Sequence, residues 1–307
     1  MGSSSWSSSS YDSLKKDYST RSTADIFTHT KTKTMSKDMS PLGLTFRESR
    51  DSDAHPESLA IIFALDVTGS MDDIPDRMIR ENLGKLMETL IAHGIEHAHV
   101  MPLAIGDHEC DDYPLQVGQF EAGTDELTKC LSEINLEKGG GGNAGESYFL
   151  AWLTAARHTS IDCFEKRDIK GILFTVGDEP NLTKIPASRL KELMGYTEAT
   201  DLTAEELLAE AQRSYHVFHI HVKEGSNGKS EHVMDGWRRT LGQRLIILED
   251  RNDIVELVAA TVAMMHGIDL ATVTASFDAK TAASVSTALM HVDTSVAKST
   301  NTGVVTL

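Results

Sequence analysis

Three short stretches of this chain carry residue types that could hold a hard metal ion. The first is Asp66-Val-Thr68-Gly-Ser70, with a carboxylate and two hydroxyls at every second position. The second is Gly139–Gly142 followed by Asn143-Ala-Gly-Glu146-Ser147, a glycine run that lets backbone approach a ligand and is rich in oxygen donors. The third is Thr175-Val-Gly-Asp178-Glu179-Pro180, an acid just past an apolar run. Carboxylate and hydroxyl oxygens suit Mg²⁺ or Mn²⁺ better than zinc, and Ca²⁺ accepts the same ligands. The plainer reading gives Ser70 or Asp72 to a helix N-cap, Asp66 to fixing a turn and the glycine run to a solvated linker.

The order of elements decides between these readings. Leu59–Leu65 (LAIIFAL) is a continuous apolar run, as expected of a strand covered on both faces. From Ile74 to Ile91 apolar residues recur at helical spacing, and His93-Gly94 closes that helix. Strands are expected at Ala98–Ile105, Leu115–Phe120, Gly171–Val176, His216–Val222 and Leu245–Leu248. Helices are expected at Thr124–Asn135, Gly145–His158 and Thr203–Ser214, with a closing one from Ile254 to Met265. Alternation of this kind implies a doubly wound, mostly parallel, Rossmann-like six-stranded sheet with helices on both faces. Ligands bind beyond the carboxyl ends of such strands, and all three oxygen-rich stretches fall there.

LDVTGSM, then GGGGNAGES, then FTVGDEP, in that order, resembles the von Willebrand factor type A domain with its metal-ion-dependent adhesion site, in the branch that carries DxTGSM. The resemblance covers roughly residues 56–267. It implies a divalent cation held by Thr68 and Ser70, with Asp66 acting often through water and Asp178 as the distal acid. Many members place a Thr ligand in the middle loop. Here Asn143, Glu146 and Ser147 are the candidates, Asn143 and Glu146 first. A directly ligating Glu146 would make the site more negative and less attractive to a partner's carboxylate. The metal set is therefore Asp66, Thr68, Ser70, Asn143, Glu146 and Asp178, with no catalytic residue.

The function expected from this is binding, not turnover: a bound cation keeps an exchangeable position for an Asp or Glu of a partner protein. The resemblance offers an AAA+ ATPase or an assembly component as that partner. Two alternatives stand beside it. One is a structural component of a phage particle or another assembly, with a metal site that only stiffens a loop. The other is a Mg²⁺-dependent phosphohydrolase using Asp66 as nucleophile. Such enzymes carry a second Asp where this chain has Thr68, so the proton-handling group is missing. Nucleotide binding lacks support too, because GGGGNAGES has no P-loop lysine.

Composition bounds the rest. The chain has 307 residues and a net charge of −17, which disfavours nucleic acid and anionic membrane as partners. Three scattered cysteines, Cys110, Cys130 and Cys163, are neither a disulfide framework nor a zinc site and suit a reducing, cytoplasmic setting, or a virion if phage-encoded. Residues 1–55 are Ser/Thr-rich and slightly basic, and read as a disordered arm ahead of a domain over 56–268. Residues 269–307 read as a low-complexity tail in which a weak helix near Ala282–Met290 is one option. His108-Glu-Cys110-Asp-Asp112 reads as a solvated acidic rim whose Asp107 and Asp111 tune the field at the cation. His219 and His221 read as core histidines on one strand face.

Overall fold

The computed structural model describes residues 4–71, 73–137, 145–197 and 200–292, without the side chain of Ser70. Its centre is a six-stranded sheet built from β1 (Leu59–Asp66), β2 (Ala98–Ile105), β3 (Leu115–Val117), β4 (Gly171–Gly177), β5 (Tyr215–Val222) and β6 (Leu245–Leu248). The spatial order is β6-β5-β4-β1-β2-β3, with every neighbouring pair parallel except β2 and β3. The chain starts at the centre, winds outward to β3, returns beside β1 as β4, and winds outward the other way. The loops leaving β1 and β4 therefore diverge from adjacent strands.

The apolar run of β1 is explained by its surroundings. Ile61, Phe63 and Leu65 enter one apolar cluster, and Ala60, Ile62 and Ala64 enter another on the opposite face. Alternate side chains point to opposite faces, so a strand covered on both sides must be apolar throughout. The first cluster receives α2 (Leu83–Ala92) and α6 (Ile254–Met265). The second receives α3 (Phe149–Arg157), α4 (Ala204–Ala211) and α5 (Glu231–Leu241). The fold is thus mixed α/β, a mostly parallel sheet with helices around it. None of the described helices is long and apolar enough to cross a membrane.

The expectation of a disordered amino-terminal arm does not hold for residues 4–55. Helix α1 (Ser8–Thr20) is N-capped by Ser7, whose hydroxyl accepts from Ser10 N. Tyr11 is 3% exposed, and its ring occupies space that a side chain at Gly84 would fill: a Cβ there would lie 2.5 Å from Tyr11 Cε1. The helix leading into α2 contains a π-helical turn, Met78–Asn82. The Tyr11 hydroxyl donates to Ile79 O at 3.0 Å within that turn. At the other end of α1, Arg80 donates to the carbonyls of Tyr18 and Arg21. Tyr18, Ile26, Phe27 and Met39 are also buried. A few well-spaced apolar anchors in a polar segment suffice to order it, although the mean composition stays that of a disordered chain.

The expected boundary at residue 268 is likewise no break. Short helix Leu270–Thr274 and α7 (Ala279–Leu289) continue the fold, and Val273, Val285 and Leu289 join the same cluster as α6. Residues 293–307 lie outside the described residues.

Candidate metal centre at the carboxyl edge of the sheet

Asp66 is the last residue of β1 and is 1% exposed. Its Oδ1 accepts from Thr68 N at 2.9 Å and lies 2.7 Å from Thr68 Oγ1. Its Oδ2 accepts the Tyr148 hydroxyl at 2.9 Å. Thr68 Oγ1 also sits 3.1 Å from Glu146 Oε1. One hydroxyl proton cannot serve two acceptors, so the three groups share fewer protons than contacts unless Glu146 carries its own. Glu146 Oε2 is buried with no hydrogen-bond partner among the described residues.

The middle loop is fixed by backbone. Glu146 N donates to Pro180 O at 2.9 Å, and Leu182 N donates to Glu146 O at 2.9 Å. This tie to the segment after β4 sets Glu146 beside Thr68. Ser147 is committed elsewhere: its hydroxyl accepts from His108 N at 2.9 Å and lies 2.7 Å from His108 Nδ1. Of the middle-loop candidates, Glu146 therefore reaches the centre and Ser147 does not, while Asn143 lies outside the described residues. Ser70 falls in the 3₁₀ turn Gly69–Met71 directly after Thr68, and its side chain is not among those described.

Asp178 follows β4 and is 2% exposed. Its Oδ2 accepts from Asn227 N at 2.7 Å, which ties it to the loop after β5. A Cβ on Gly225 would lie 2.3 Å from Asp178 Cγ, so that loop approaches closely only because Gly225 lacks one. Asp178 acts on Asp66 through its charge.

Burial, then the charge of Asp178, pushes Asp66 up to about 7 against the lowering effect of its hydrogen bonds from Thr68 and Tyr148. Burial, then Asp66, Asp111 and Asp107, pushes Glu146 up to about 9. The carboxylates after β2 thus bear on the centre: Asp107 is 1% exposed with Oδ2 unpartnered among the described residues, and Asp111 is raised by its own burial. The stretch around His108 is more enclosed than a solvated rim, since Asp107, His108 and Asp111 are all buried.

Tyr148 is a member of the centre that the sequence does not single out. It is fully buried, its hydroxyl also accepts weakly from Glu179 N at 3.4 Å, and its ring stands edge-on to His219 and Trp237. Its place depends on Gly177, where a Cβ would lie 1.9 Å from the Tyr148 hydroxyl. An aromatic residue opening a helix looks like core, and nothing in its spacing separates it from one. His219 and His221 are core histidines, bonded to Thr175 Oγ1 at 2.9 Å and Gly228 O at 3.0 Å.

Chemically, the centre offers two acidic side chains that both contact one hydroxyl. Among the described residues no three His, Cys, Asp or Glu side chains form a preassembled metal-holding group. The donor set Asp66, Thr68 and Glu146 fits a hard divalent ion: it is all oxygen, and it includes a buried oxygen without a partner among the described residues.

No protein-family model matches the chain, and no curated protein matches it. Among solved structures, the pilus adhesin SpaC from Lactobacillus rhamnosus GG in its open conformation is similar over 70% of this chain and 30% of that one. The identity is 8% and the TM-score 0.43. Proximal thread matrix protein 1 from the mussel byssus is similar over 67% of this chain and 48% of that one, at 10% identity and TM-score 0.44. This chain thus spans less than half the length of either.

Proposed function

We propose that the chain is a doubly wound domain of the von Willebrand factor type A kind. On this reading, Asp66, Thr68 and Glu146, with Ser70 and Asp178, hold one Mg²⁺ or Mn²⁺, through which a carboxylate of a partner protein is bound. The observation that carries it is the contact of Thr68 with both Asp66 and Glu146, two acids that burial, and then the charge of Asp178 on Asp66 and of Asp66 on Glu146, drives toward their protonated forms. A divalent ion among them would supply positive charge and a partner for the Glu146 oxygen that has none among the described residues. Strand order supports the reading as well: it reverses between β1 and β4, and the crevice beyond a reversal is where ligands settle in open α/β sheets. Binding without turnover suits a site in which Thr68 stands where a phosphohydrolase would carry a second acid.

The ion would act as an electrophile that a carboxylate can reach, while Tyr148 and the Thr68 amide keep Asp66 aimed. Titration of metal-free protein with Mn²⁺, read by loss of the free-ion electron paramagnetic resonance signal, should show one equivalent bound. Asp66→Ala should weaken it at least about tenfold, roughly the effect of one charge-assisted contact. An Asp-containing acidic peptide should then bind in Mg²⁺ and release in EDTA. Absence of Mn²⁺ uptake by the wild-type chain would dismiss the proposal.

A further inference from the structure

A second cluster of ionisable side chains lies at the opposite, amino-terminal end of the sheet. His99 is the second residue of β2 and His97 precedes that strand, so the two share a face at strand spacing. His55 comes from the segment before β1, and its ring centroid lies 5.5 Å from that of His97 and 5.0 Å from that of His99. His55 and His99 are 2% and 1% exposed. Each of the three rings has one buried nitrogen without a hydrogen-bond partner among the described residues: Nδ1 of His55, Nδ1 of His97 and Nε2 of His99.

The other nitrogens explain which atoms are left over. His55 Nε2 lies 3.0 Å from the backbone carbonyl of Ser4, which can only accept, so this nitrogen carries the proton and Nδ1 keeps its lone pair. His99 Nδ1 lies 3.1 Å from Ser49 Oγ, and donating there leaves a lone pair on Nε2. A ring N–H given to a carbonyl or hydroxyl, with the far nitrogen free, is the arrangement that orients a metal-bound imidazole. Three buried nitrogens in one cluster, each without a partner among the described residues, are otherwise unfavourable, because each has given up water. A pocket of about 250 Å³ lined by Ser5, Trp6, His55, Glu96 and His97 opens beside them and leaves room for a water as fourth ligand.

We infer that His55, His97 and His99 form a binding site for one transition-metal ion of the zinc class, independent of the oxygen-lined centre at the other end of the sheet. In the described arrangement the rings stand edge to face, at 80° and 83°, and their lone pairs do not share a centre. Bringing them together takes rotation about the bond from Cβ to the ring, a soft torsion for histidine. Three imidazoles and a water match the four-coordinate geometry that zinc and cobalt(II) adopt with nitrogen ligands. Because Ser4 is bonded to His55, the ion would also pin the start of the amino-terminal arm.

Cobalt(II) reports on the site directly. Adding it to the chelator-treated full chain should raise visible absorption of a tetrahedral nitrogen site to saturation at one equivalent, and one equivalent of zinc should abolish it. The signal should survive in Asp66→Ala and vanish in His97→Ala, chosen because His97 is only half-buried and its loss should leave the fold intact by circular dichroism. His55→Ala gives a second, independent loss. Zinc should also raise the melting temperature of the wild type and leave that of His97→Ala unmoved. No cobalt absorption in the wild type, or an equal one in His97→Ala, would overturn the inference and assign the spare nitrogens to water. Loss in Asp66→Ala with retention in His97→Ala would overturn it too, by moving the ion to the other end.

Discussion

The two ends of one sheet treat buried charge in opposite ways. At the carboxyl end, Asp66 and Glu146 are acids driven toward their protonated forms. At the amino end, burial, then the neighbouring His55, lowers His99 to about 4, so this base is driven toward its unprotonated form. In both places enclosure disfavours the ionised species, and the chemistry of the side chain decides which direction that is. Among the described residues, neither end is a stabilising ion-pair network. Each gathers like groups whose charged forms burial disfavours, which is why each is read as a site.

The largest effect is expected from Gly177→Ala, whose methyl group must displace Tyr148 from Asp66. A loss of about 3 kcal/mol in urea unfolding is expected, at the upper end for overpacking. A loss below about 1 kcal/mol would mean that the carboxyl end is slack rather than tightly arranged.

Next in size is the acid limb of stability in chelated protein. The His99 pKa is lower in the fold than in the unfolded chain, so the unfolded chain takes up more protons as pH falls. Stability should therefore drop between about pH 6.5 and 4. Replacing His99 by Phe should flatten that limb by up to about 3 kcal/mol, since each tenfold difference in proton affinity is worth about 1.4 kcal/mol. An unchanged slope would end the account of the amino end.

The carboxyl end has the opposite sign. Raised carboxyls keep their protons in the fold and lose them on unfolding, so metal-free stability should fall as pH rises from about 4.5 through about 7 to 9. Glu146→Gln should remove about 1 kcal/mol of that fall, the order of one lost unfavourable charge contact. Saturating Mg²⁺ should do the same in the wild type. The smallest change, about 0.5 kcal/mol, is expected from Ser49→Ala, which loses one neutral hydrogen bond to His99. Its informative readout is weaker cobalt(II) binding at constant fold.

What can be read from the sequence follows the same physics. LAIIFAL, GILFTV and the spacing from Ile74 to Ile91 announce their elements because burial on two faces or one stripe leaves a periodic imprint. Asp66, Thr68 and Asp178 can be located because turns after such strands fall on one edge. Glu146 is a candidate by sequence but is not separable there from Ser147, since the choice is made by backbone pairing with residues 180–182, far along the chain. Tyr148 stays hidden because its role lies in a hydroxyl that points at Asp66. The grouping of His55 with His97 and His99 is invisible for a similar reason: strand pairing, rather than local spacing, brings them together. The arm reads as disordered because Tyr11, Tyr18 and Phe27 are too few to alter the composition of residues 1–55, yet each fills a prepared place.

The π-helical turn at Met78–Asn82 has a consequence for how the molecule would come apart. A wider turn leaves carbonyls less well served by their own helix, and one of them, Ile79 O, is met by a phenol from outside. The first turns downstream of the Asp66 motif therefore owe part of their integrity to a residue 68 positions earlier in the chain. Amide exchange in that helix would keep time with the peeling of the arm, so a probe at the amino terminus and deuterium uptake at Ile79–Leu83 would record a single opening event rather than two.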